Sequence, residues 1–292
     1  MSAQIRTVAA DNGFDILPSV SPLPDINPWQ PTAIEMRKAL DAEVLDRINT
    51  VLRAYGRPAM NRMADLSTDA NPILATVKEL DNYGERADAF YAGLFYGFDE
   101  GAPAEWPDGN EPRIFVHLRP HMKCFSQMIE VTRDLAMPTL CVVPRLTHAE
   151  SQNRRTRTLA INGKPVALKS ALARADLAIG YGGIGTTTEE VLAGVQQIIL
   201  PEVLALALCG QRLETIGAGI CLAGTREVNR TKTANTIECV LSESKFWRAA
   251  GRFADQNKRY NAGKAREYVG DQTSGALTNS MQNCVWPRAS TC

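Results

Sequence analysis

The chain has 292 residues, 45% of them hydrophobic, which suits one large or two modest domains with a substantial core. Its 32 basic and 32 acidic side chains cancel, and no nucleic-acid partner is expected. No apolar run approaches the roughly 18 to 20 residues of a membrane helix, the N-terminus has no signal-peptide core, and the seven cysteines lack Cys-x-x-Cys spacing and sit mostly in apolar runs, so a cytoplasmic protein with reduced thiols and no metal is expected.

Residues 22–31 hold four prolines and read as extended chain or loop. A helix is predicted over 33–55, stopped by Gly56-Arg57-Pro58. Residues 73–77 predict a strand, since β-branched residues recur there. One or two strands are too few for a complete sheet, so residues 1–112 read as part of an α/β domain. Residues 101–112, rich in Pro, Gly and acids, read as a linker. Charge changes at the same place. Residues 1–112 carry 9 basic and 18 acidic groups, and residues 113–292 carry 23 and 14. A basic second half attracts an anionic ligand, and equally attracts an acidic first half.

From residue 113 the alternation is regular. Strands are predicted at 114–118, 139–143, 157–161, 177–179, 197–200 and 220–222. Helices are predicted at 124–135, 168–174, 204–216, 231–241 and 245–258. A further helix opens at Thr186 and runs to about Ala193. Strands alternating with helices at this spacing argue for a Rossmann-like doubly wound parallel sheet, which binds ligands at the carboxyl ends of its strands.

One such end carries the most informative stretch, Asp176-Leu-Ala-Ile-Gly-Tyr-Gly-Gly-Ile-Gly-Thr186. A buried strand feeds a glycine turn and then a helix start. Glycines let the backbone approach an anion, and the helix N-terminus offers free N–H groups and a positive dipole end. A tight strand-to-helix turn is the plainer explanation of such a loop taken alone.

With Ala193-Gly-Val195, Ile198-Ile-Leu-Pro201, Arg212 and Gly217-Ala-Gly219 in order behind it, the stretch resembles the donor-binding C-terminal domain of GT-B-fold glycosyltransferases of the UDP-glucosyl/glucuronosyltransferase superfamily. The match covers about residues 113–260. Asp81-Asn-Tyr-Gly-Glu-Arg86 and Tyr91-Ala-Gly93 resemble the segment before that family's interdomain linker. The implied organisation is a partial acceptor-type domain over 1–112 and a nucleotide-sugar-binding domain with C-terminal helices over 113–292.

The resemblance implies roles. Gly182, Gly183, Gly185 and Thr186 match the loop that holds the donor diphosphate. Glu189 matches a ribose-binding glutamate; a dipole-favoured acid at a helix start is its plainer reading. Val166 sits where the family's loop backbone meets the base; a core valine is the plainer reading. Tyr181 stands where the family carries a phosphate-binding histidine, so a hydroxyl replaces a positive charge. Ala205 and Leu206 stand where an Asp-Gln pair contacts the donor sugar. Arg119, after the first strand of this half, could face the same cleft; a solvated arginine is its plainer reading.

The family's catalytic histidine lies near the start of its N-terminal domain, and no histidine here precedes His117. His117 in a strand and His148 in a loop read as structural or solvated, while His121, after a strand end, is a candidate to enter the cleft. The catalytic residue is left unassigned. The implied activity is sugar transfer from a nucleotide sugar, expected to be a UDP-sugar used as substrate, to a small-molecule hydroxyl, with no separate cofactor. The alternative is a non-catalytic nucleotide-binding or partner protein that keeps the fold. An incomplete front half predicts self-association or a partner chain.

Overall fold

The computed structural model describes residues 9–27, 29–67, 72–94, 101–109, 112–222, 229–260, 263 and 265–271. They form two compact units.

The first unit holds the described residues up to Lys78, those from Tyr83 to Leu94, and those from Tyr260 onward. Its sheet has three short parallel strands in chain order, β1 (Ala10–Asp11), β2 (Ile73–Leu74) and β3 (Phe90–Tyr91). Between β1 and β2 runs helix α1 (Ile34–Ala54), close to its predicted span. None of its residues is buried. Met36, Leu40 and Val44, spaced one turn apart, continue through Val51 and Tyr55 as exposed apolar side chains. Arg86 fixes the loop after β1, donating to the carbonyls of Gly13 (2.7 Å) and Ile16 (2.6 Å).

The units divide the chain differently from a cut at residue 112. Ala265, with Tyr268 and Val269, packs on Ile73 and Ala92, and the Tyr268 ring stacks on Phe90 at 3.8 Å. Helical residues 265–271 therefore group with the first unit. Conversely, Glu79–Asn82 belongs to the second unit, where Arg212 donates to the Asn82 carbonyl (3.1 Å). The start of the expected linker also joins the second unit, since Ala102 pairs with Val166.

The second unit is built on six strands and seven helices among the described residues. In chain order these are β4 (Ile114–His117), α2 (Phe125–Leu135), β5 (Thr139–Val142), α3 (His148–Arg154), β6 (Leu159–Asn162), α4 (Leu168–Leu172), β7 (Leu177–Gly180), α5 (Ile184–Leu192), β8 (Gln196–Ile199), α6 (Leu204–Ile216), β9 (Gly219–Cys221), α7 (Arg230–Ser242) and α8 (Ser244–Gln256). All six strands are parallel, in the order β6-β5-β4-β7-β8-β9. Side chains alternate between two cores. Ile114, Val116, Leu177 and Ile179 enter one, while Phe115, Ala178, Leu140 and Val142 enter the other. Apolar burial on both faces is what a doubly wound sheet requires.

Two local readings change. His148 is not in a loop but opens α3, where Thr147 and Glu150 form a reciprocal capping box. The helix expected from Thr186 begins two residues earlier, at Ile184, because Gly183 in extended conformation serves as its N-cap.

Candidate functional site

Strand order reverses between β4 and β7, because the chain winds outward from this pair in both directions. Loops leaving the carboxyl ends of such a pair diverge and open a crevice. The register sets His117 beside Gly180, so Arg119 and Tyr181 follow from adjacent strand ends.

The β7–α5 turn is shaped by close packing. Gly182 has φ +88°, and a Cβ on it would lie 2.7 Å from the Leu206 carbonyl oxygen and 2.8 Å from Ile199 Cγ2. Only glycine meets both demands. Gly183 is the N-cap, and no side chain caps the first turn of α5. The first intrahelical bond runs from the Thr187 amide to the Gly183 carbonyl. The amides of Ile184, Gly185 and Thr186 therefore lie ahead of the helical ladder, at its positive end.

Tyr181 covers this turn. A Cβ at Gly183 would lie 2.9 Å from Tyr181 Cε2. The Arg119 guanidinium sits over the Tyr181 ring at 4.4 Å from its centroid, with Nη2 3.4 Å from the hydroxyl. The His117 ring lies 5.3 Å from the same ring. Burial, and secondarily the Arg119 charge, push the His117 pKa down to about 4, so this imidazole is neutral at pH 7. The cation beside the loop is Arg119.

The structure thus brings Tyr181, Gly182, Gly183, Gly185 and Thr186 onto one turn. Glu189 follows on α5, partly buried and engaged in contacts of its own. Its neighbour Glu190 is fully enclosed, and burial pushes its pKa up to about 8. Val166 lies past the end of β6, its side chain in the core with Phe115 and Leu168. Its bridge partner Ala102 bonds to the Pro165 carbonyl and the Ala167 amide. That pattern turns Val166's own N–H and C=O away from Ala102. Ala205 and Leu206 lie in the first turn of α6, and the Leu206 backbone abuts Gly182. His121 is exposed past β4, and His148 is exposed on α3. Among the described residues no group of His, Cys, Asp and Glu has the arrangement of a metal site. A surface cavity of about 410 Å³ between β9 and α7, lined by Ile220, Asn229, Thr231, Lys232, Asn235, Thr236 and Cys239, contains none of the sequence candidates.

Sequence reading placed Arg119 either facing the cleft or in solvent. It is exposed, but it is also ordered on Tyr181. Its position directly after a central strand was the available signal. Its loop is pinned as well: the Met122 amide bonds to the Arg119 carbonyl (3.1 Å), and the Lys123 amide to Glu202 Oε1 (2.9 Å).

No family model matches the chain. It is 26% identical over 247 residues, 80% of its length, to a PGL/p-HBAD biosynthesis glycosyltransferase of Mycobacterium tuberculosis (strain ATCC 25177 / H37Ra), and it spans 57% of that relative's length. It is 25% identical over 122 residues, 42% of its length, to NDP-glycosyltransferase YjiC of Bacillus subtilis (strain 168), covering 31% of that protein. Among solved structures, the glycotransferase of kitacinnamycin superposes with a TM-score of 0.62 at 15% identity, over 79% of this chain and 62% of that one. The spinosyn rhamnosyltransferase SpnG superposes with a TM-score of 0.58 at 18% identity, over 81% and 63%. The glycosyltransferase VinC in complex with dTDP superposes with a TM-score of 0.59 at 16% identity, over 80% and 58%. In sequence the chain is similar to the two glycosyltransferases from Mycobacterium tuberculosis and Bacillus subtilis, and its fold is the GT-B glycosyltransferase fold of the solved structures.

Proposed function

We propose that the second unit binds a nucleotide-sugar donor, with its diphosphate on the turn from Tyr181 to Thr186, and that the protein acts in sugar transfer to a small-molecule hydroxyl. The observation that carries this reading is the uncapped N-terminus of α5 at the carboxyl edge of the β4–β7 pair. There Gly182 and Gly183 leave the backbone bare. Two neighbours of the same fold, VinC and SpnG, are each described in complex with thymidine diphosphate (dTDP).

In this reading the amides of Ile184, Gly185 and Thr186 and the dipole of α5 receive the diphosphate. They would stabilise it as leaving group while an acceptor oxygen displaces it from the anomeric carbon. The acceptor hydroxyl gives up its proton to a base, and no residue is assigned that role. The backbone N–H and C=O of Val166 suit the edge of a base, and Glu189 suits the ribose hydroxyls. UDP is the nucleotide we favour. Free cysteines, including buried Cys124, Cys141 and Cys209, fit a cytoplasmic location.

A second reading, nucleotide binding without catalysis, is favoured by Ala205 and Leu206, whose side chains offer a sugar no hydrogen bond. Titration calorimetry with UDP, dTDP, GDP and ADP tests what the readings share. Binding of one nucleoside diphosphate, lost on disrupting Gly183, is expected. Equal, negligible heats for all four refute the donor-site reading.

A further inference from the structure

We propose that Arg119 is a direct ligand of the diphosphate, supplying from β4 the positive charge that the glycine turn on β7 lacks. The inference rests on the donor-site reading and adds to it a residue and a charge.

The turn itself carries no cation. Tyr181 opens it with a neutral phenol, and His117, the nearest imidazole, is uncharged at pH 7. The N-terminus of a helix supplies about half an elementary charge, whereas a diphosphate brings two or more negative charges. Arg119 stands one side chain away. Its guanidinium touches the Tyr181 ring, and the edge of that ring reaches the space above Gly183, the N-cap of α5. Among the described residues it bonds to no carboxylate, so its charge is uncompensated. A planar cation resting on an aromatic face keeps N–H groups on its rim available for phosphate oxygens. The turn that carries it is closed by the Met122 amide and tied through Lys123 to Glu202, so less freedom is lost on binding. Arg119 and Tyr181 converge because β4 and β7 are neighbours at the reversal of strand order, where the ligand crevice of this architecture opens.

The test is calorimetric titration of the full chain with UDP, uridine and inorganic pyrophosphate at two salt concentrations, for wild type, Arg119→Gln, Arg119→Lys and Lys258→Gln. Arg119 is exposed, so its variants are expected to fold, and thermal melts verify this. Arg119→Gln should weaken UDP and pyrophosphate roughly tenfold, the scale of one charge-assisted bond. It should leave uridine unchanged and make the remaining affinity less sensitive to salt. Arg119→Lys should recover part of the loss, and Lys258→Gln, an exposed charge past the end of α8, should stay within about twofold of wild type. Unchanged UDP affinity in Arg119→Gln overturns the proposal and leaves the donor-site reading standing. Arg119-dependent binding of pyrophosphate without binding of any nucleotide does the reverse. Absence of binding by every ligand to wild type overturns both.

Discussion

The Leu206 carbonyl oxygen fills the space that a side chain at Gly182 would need, 2.7 Å from the position of its Cβ. The adjacent Gly183 is under no such demand. Its φ is an ordinary −63°, and a Cβ there would first meet the movable edge of the Tyr181 ring. Two neighbouring glycines therefore answer to different constraints: Gly182 to the packing of α6, and Gly183, in the proposed function, to an anion at the α5 N-terminus.

Gly182→Ala should destabilise the fold by about 1–3 kcal/mol through positive-φ strain and the backbone clash. Gly183→Val should cost about 1 kcal/mol or less, yet lower UDP affinity at least roughly tenfold by crowding the anion. Thermal melts and titration calorimetry on both variants separate the effects. Unchanged affinity in folded Gly183→Val would show that the turn serves packing alone.

Glu190 makes stability fall with rising pH. Burial raises its folded pKa from 4.5 to about 8, so between these values the folded state holds a proton the unfolded state has lost. The contribution is fully present below about pH 4.5 and is lost as pH climbs toward 8, at up to about 1.4 kcal/mol per pH unit. Glu190→Gln should remove this slope and be the more stable protein at pH 8. Denaturant melts from pH 5 to 8 measure it, and parallel curves for the two proteins contradict the assignment.

His117 acts on the acid side. Burial and the Arg119 charge lower its pKa from 6.5 to about 4, so in that window the unfolded chain binds the extra proton. Its contribution is complete above about pH 6.5 and is lost as pH falls toward 4. His117→Asn should flatten the stability profile between pH 4 and 6.5 while leaving the profile above pH 7 parallel to wild type. Urea midpoints across this range are the measurement.

Little or no sugar transfer is expected from the purified chain alone. The sequence has three histidines. His117 is too acidic to be an effective base at neutral pH, and His148 opens α3, away from the glycine turn in sequence and element. A general base contributes about 10²–10⁴-fold, so its loss leaves slow turnover. Mass spectrometry of reactions with several nucleotide sugars and a broad acceptor panel tests this. Robust multiple turnover overturns the expectation and demands a base, with His121, exposed past β4, the first histidine to substitute.

The second unit is legible in the sequence because its strands are short apolar runs buried on both faces, such as Ile114–His117 and Leu177–Gly180, punctuated by glycine and proline. The turn at Gly182 and Gly183 is legible for the same local reason. The Arg119–Tyr181 contact is not, since 62 residues separate the partners and only the register of β4 on β7 joins them. In the first unit, β1 and β3 are two residues long and carry no readable period. The docking of Ala265 on Ile73 is long-range and equally silent. The capping box at Thr147 and Glu150, by contrast, is a local signal that marks α3 directly.

The reversal of strand order has a mechanical consequence. The sheet consists of two triplets, β6-β5-β4 and β7-β8-β9, whose strands pair across the β4–β7 seam while α2 and α7 also pack across it. An anion gripped by Arg119 from one triplet and by the α5 amides from the other would span that seam like a clasp. It would have no affinity for a chain in which the triplets had parted. At a free concentration one hundred times its Kd, it would hold the seam closed with about 2.7 kcal/mol. Amide exchange along β4 and β7 would then slow first, and together, as the site fills.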